Sequence, residues 1–154
     1  MVFPKTVPCW CPFESRRPRT DNEHFEALAA AVFSARFKPD IVRARWPSIR
    51  KAFAGFDLRL VASWPDSEVD HLLAYPGIIR NRKKVTAILR NGRGLLERAE
   101  KYGGVRTYLG SYAGDDSILV HELDGWMHYI GAPSIRCYLN CAGLLHRESG
   151  SDQE

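Results

Sequence analysis

The chain has 154 residues, 45% hydrophobic and 26% charged, which fits one globular domain with one core and excludes wholesale disorder. No apolar run approaches the roughly 18 to 20 residues that a bilayer span needs, the longest being ALAAAVF at 27–33. The formal charge of +4 is uneven: residues 80 to 110 carry nine Lys and Arg against two acids, and residues 111 to 154 carry two against seven. A polyanion-binding face leaves that pattern in a sequence.

Residues 1–20 hold four of the nine prolines and the run SRRPR, and are expected to form an irregular arm. Their start lacks an apolar h-region, so a cytoplasmic protein is expected, nucleoid-associated in a bacterium. Asp21 or Asn22 can cap a helix in which Phe25, Leu28, Ala29, Val32 and Phe33 share a face, central to the fold through its alanine-rich middle. Pro39 begins a second helix with Ile41, Val42, Trp46, Ile49 and Phe53 inward and a kink expected at Pro47. DLRLVASW and SEVDHLLAY predict two short helices, the second ended by Pro76 and Gly77. A long helix from about Arg82 to Tyr102 keeps Val85, Ile88, Leu89, Gly92, Leu96 and Ala99 on one stripe and ends at a glycine. VRTYLGSY is short; Asp115 or Asp116 caps the next helix, and a last one follows Pro133. With no alternating segment long enough to demand a sheet, the fold class is all-α. A single helical domain spans 21–146, with a flexible tail at 147–154.

Two stretches carry the functional signal. In PGIIRNRKKVTAILRNG, Arg80, Arg82, Lys83 and Lys84 crowd the start of the long helix, where the helix dipole disfavours cations unless an anion compensates them. In YIGAPSIRCYL, a glycine between two helical segments precedes a small hydroxyl residue and a helix. Such a corner leaves backbone N–H groups free for a phosphate, with Gly131, Ser134 and Arg136 as candidate contacts. A solvated basic turn and an ordinary helix corner are the plain alternatives. Together the two stretches point to nucleic acid held by its backbone.

GIIRNRKKVTAILRNGRGLL closely resembles a segment of the 3-methyladenine DNA glycosylase I family, and FEALAAAVFSARF with IRKAFAGFDLRLVA resembles the helix pair before it. YIGAPSIRCYLNCAGLL is similar to the family's closing segment and to the hairpin of the wider helix-hairpin-helix glycosylases, so the resemblance spans roughly residues 20 to 146. It implies an all-α repair enzyme with a hairpin-type DNA-binding turn, which flips an alkylated purine out of duplex DNA and hydrolyses its N-glycosidic bond. A non-catalytic lesion-binding protein of the same fold is the alternative. A helical scaffold for an acidic protein is a third.

The family's recognition glutamate falls at Ala31 and its stacking tryptophan at Pro39, which leaves Phe33, Ser34, Arg36 and Phe37 as base-pocket candidates. Duplex DNA is the expected partner, no membrane is, and protein partners are not indicated. The resemblance implies no required cofactor. The family's zinc clip finds a counterpart in Cys11, which Cys9, Cys141 and His146 could join. Reduced, free thiols are the expectation for all four cysteines, Cys137 included.

Overall fold

The computed structural model describes residues 9–13, 16–112 and 114–145. The described residues form eight α-helices and no strand: α1 (Asp21–Ser34), α2 (Pro39–Ala52), α3 (Leu58–Ala62), α4 (Glu68–Ala74), α5 (Arg82–Tyr102), α6 (Val105–Gly110), α7 (Asp116–Asp124) and α8 (Ala132–Cys141). A 3₁₀ turn at Ala54–Phe56 links α2 to α3. None of the described helices is long and apolar enough to cross a membrane.

The all-α expectation holds, and α1 is the axis of the fold. Every residue from His24 to Ser34 is buried, with α2, α5 and α8 packed around it. The run Ala29, Ala30, Ala31 adds no side-chain bulk beyond a methyl, so neighbouring helices approach closely. α5 answers with Gly92, where an added Cβ would lie 3.0 Å from the Phe25 ring. Phe25 stacks edge-on with Phe56, and Trp46, Phe53 and Phe56 form a continuous aromatic column behind α1. Each of these rings contributes about 2 to 3 kcal/mol through burial.

The first turn of α1 departs from expectation. Thr20 is its N-cap, its hydroxyl accepting from the Glu23 N–H at 3.1 Å. Asp21 instead accepts from the Val105 N–H at 2.9 Å and Asn22 from the Leu58 N–H at 2.8 Å, so one turn fixes the starts of α6 and α3. Pro47 lies within α2, which runs unbroken to Ala52. Other caps fall as expected: Asp115 accepts from the Ile118 N–H at 3.1 Å, and Gly103 closes α5 with φ of 83°.

The cysteines overturn the free-thiol expectation. Cys9 pairs with Cys137 and Cys11 with Cys141 in two disulfides, and no described cysteine is free. Cys137 and Cys141 are four apart and therefore share one face of α8. The N-terminal arm runs along that face, with Trp10 between its two cysteines packed edge-on against Trp46 at 5.4 Å. Beside that face of α8, the Tyr138 hydroxyl and His24 Nδ1 are 2.9 Å apart. Burial pulls the His24 imidazole down to about 4, so it is neutral at physiological pH.

Candidate nucleic-acid interface

The four cations expected at the start of α5 divide by direction. Asn81 caps the helix, its side-chain oxygen accepting from the Lys84 N–H at 3.0 Å. Lys84 then points inward: 3% exposed, its Nζ donates to the carbonyls of Phe33 and Ala35, both at 2.7 Å, and lies 4.9 Å from the Phe37 ring centre. The last turn of α1 has no basic residue of its own, so Lys84 supplies the cation that its exposed carbonyls favour. Burial lowers the Lys84 ammonium to about 8. Lys84 is thus a strut between α5 and α1, and the expectation that it contacts DNA is corrected.

Arg82 is exposed and pairs with Asp70 at 2.6 Å, an interaction that draws the Asp70 carboxyl below its ordinary value. Arg80 and Lys83 face solvent. Lys83 is joined by Arg90, which the sequence reading missed although the spacing of seven places the two on one helix face. Arg82, Lys83, Thr86, Arg90, His128 and Tyr129 border a shallow groove of about 270 Å³.

The second expected site begins α8. Gly131 is its N-cap with no side-chain hydrogen bond, and Pro133 in the first turn contributes no donor. The helix start therefore presents bare backbone, as expected. Its position is set from α5: Asn91, wholly buried, accepts from the His128 N–H at 2.6 Å and donates to the His128 carbonyl at 3.2 Å. Asn91 too was unread, because its role depends on a partner 37 residues away. A cavity of about 310 Å³ lies between this corner and the end of α1, lined by Ala35, Arg36, Tyr129, Ile130, Gly131, Pro133 and Ser134.

The expected pocket residues scatter. Arg36 lines the cavity, in a left-handed backbone conformation with φ of 54°. Phe33 is fully buried against Trp46 and Phe53, so it belongs to the core and not to the cavity wall. Ser34 is buried, with no hydrogen-bond partner for its Oγ. Phe37, 37% exposed, covers Lys84 and is not part of the cavity lining. Gly131 and Ser134 line the cavity, whereas Arg136 is half-buried on α8. Among the described residues no carboxylate lines the cavity or the adjoining groove.

Two larger clefts have other characters. One of about 670 Å³ is bordered by Asp21, Asp57 and Glu100 with Arg59, the wrong sign for a polyanion. In the other, of about 610 Å³ beside Trp10 and Trp46, the Glu26 carboxylate is already engaged by Trp46 Nε1 at 2.8 Å and Arg50 Nε at 3.3 Å.

The domain is thus all-α, with exposed cations at the start of α5 and an uncapped helix start at α8 beside one small cavity. The sequence profile of the methyladenine glycosylase family matches residues 14–128, and the chain belongs to that family. Solved structures of 3-methyladenine DNA glycosylase I share its fold. A point variant of the Staphylococcus aureus enzyme is 23% identical with a TM-score of 0.75 over 84% of this chain and 80% of its own. A second S. aureus structure, which describes 3-methyladenine recognition, gives 23% and 0.74 over 84% and 79%. A solution structure of the enzyme gives 24% and 0.67 over 84% and 81%.

The zinc clip of that family does not fit the residues here. Cys11 and Cys141, with Cys9, are disulfide-bonded and so offer no thiolate, and His146 lies outside the described residues. Among the described residues no group of three or more His, Cys, Asp or Glu is placed to hold a metal.

Proposed function

We propose that this protein is a base-excision repair glycosylase that binds duplex DNA across the start of α5 and the start of α8 and admits an alkylated purine to the cavity between the end of α1 and the start of α8. The observation that carries this reading is the placement of a base-sized cavity directly beside the groove bordered by Lys83 and Arg90. Lys83, Arg90 and Arg80 hold phosphates by charge, and the bare N–H groups at Gly131 to Ser134 hold one by geometry. Neither contact reads sequence, which suits a search for lesions. Family membership and the relatives' recognition of 3-methyladenine support an alkylated purine as the base.

The chemistry is modest. Water adds to the sugar C1′ while the N-glycosidic electrons leave with the cationic purine, which departs as a neutral base, and the proton lost by the added water passes to solvent. Such a leaving group needs no general acid, which agrees with the lack of a carboxylate among the described residues that line the cavity. The same absence, with Arg36 at the wall, favours a second reading in which the protein recognises the lesion and leaves the bond intact. The test is release of free base from dimethyl-sulfate-treated duplex DNA by purified protein, resolved by mass. Methylated purine released above the spontaneous rate supports the first reading. Intact DNA with tighter binding to the methylated duplex supports the second.

A further inference from the structure

We propose that Tyr129 is the aromatic wall on which the extruded base stacks, an inference that rests on the proposed function and names the residue governing base affinity. Among the described residues, Tyr129 is the one common to the cavity and the cationic groove, so it divides the base site from the phosphate site. Among those residues it is also the one aromatic lining the cavity, beside Ala35, Ile130, Pro133 and glycine surfaces that offer no π-face. It is 49% exposed between buried Met127 and Ile130, so its ring is not part of the core.

The backbone presents it deliberately. Tyr129 has φ of 56°, a left-handed conformation unfavourable for a residue with a bulky side chain. The buried Asn91 holds His128 by both its N–H and its carbonyl, and Ile130 is anchored 8% exposed on the other side. A strained, exposed aromatic fixed between two anchored neighbours is pre-organised for a planar partner. Its π-face accepts any purine, which leaves selection between lesions to the rest of the cavity.

Two variants separate the ring from the backbone. Tyr129→Phe keeps the ring and loses the hydroxyl, whereas Tyr129→Asn loses the ring but tolerates the left-handed backbone. The probe is free 3-methyladenine titrated by NMR, alongside undamaged duplex DNA followed by fluorescence anisotropy. Base stacking predicts upfield shifts of the Tyr129 ring protons in the wild type. Tyr129→Asn then weakens base binding about tenfold or more, and Tyr129→Phe leaves it within about twofold. Duplex binding by Tyr129→Asn stays within about threefold of the wild type. Equal base affinity in Tyr129→Asn, equal loss in both variants, or wild-type duplex binding without any ring shift overturns the stacking role and leaves the DNA reading standing. Failure of the wild type to bind duplex DNA overturns both.

Discussion

The two helix starts assigned to DNA binding are built on different principles. At α5 a side chain caps the helix, Asn81 accepting from the Lys84 N–H, and the start carries a surplus of side-chain charge. At α8 no side chain caps the helix, and what remains is the backbone itself. The α5 start also spends part of its charge internally: Lys84 serves the carbonyls of α1 and Arg82 pairs with Asp70. Adjacent lysines therefore do different work. Lys83 belongs to the surface and Lys84 to the fold.

α8 is tied to the N-terminal arm by a covalent strap that α5 lacks, so reduction separates the two helices most sharply. The two disulfides close loops of 128 and 130 residues, and their joint reduction is expected to cost about 3 to 5 kcal/mol in urea unfolding. Amide exchange should then rise first in α8, with α5 the last to follow. Replacing Lys84 with Met leaves two buried carbonyls without their donor and should cost about 2 kcal/mol. Because its folded value of about 8 is below the unfolded one of about 10.4, the wild type gains stability as pH rises between those values. Lys84→Met should abolish that gain.

A second pH effect tests the contact between α1 and α8. His24 is neutral when folded down to about pH 4, whereas the unfolded residue binds a proton near 6.5. Stability should therefore fall as pH drops from 6.5 to 4, and His24→Gln should flatten this window in thermal melts. The neighbouring Glu23, which Arg16 holds down to about 2, acts separately, its contribution fading only as pH falls from about 4.5 toward 2. Lys83→Ala should change stability by less than about 0.5 kcal/mol yet reduce the slope of log affinity for duplex DNA against log salt by about one. An unchanged slope in Lys83→Ala, or a reduced one in folded Lys84→Met, would reverse the assignment of the two lysines.

What the sequence made legible was local. The hydrophobic stripe of α5, its glycine end and the Asp115 cap follow from periodicity and from hydrogen bonds within a turn. Asp21 and Asn22 were read as caps because both types make good caps, yet their partners are Val105 and Leu58, 84 and 36 residues away. The same limit hid the site's interior. Phe33 and Lys84 have the right character for a pocket and a phosphate contact, and only the packing of α2 and of α5 on α1 shows that they are buried. Cysteine pairing likewise depends on where the arm lies along α8, which spacing alone does not determine.

The central claim is that duplex DNA lies across the starts of α5 and α8, over the cavity between the end of α1 and the start of α8. Hydrogen–deuterium exchange of the oxidised protein with and without a methylated duplex tests it directly. Slowed exchange concentrated in residues 80–91 and 128–136 is the predicted result. Protection at the acidic cleft around residues 57–59 and 99–104, or none anywhere at saturating DNA, would contradict it.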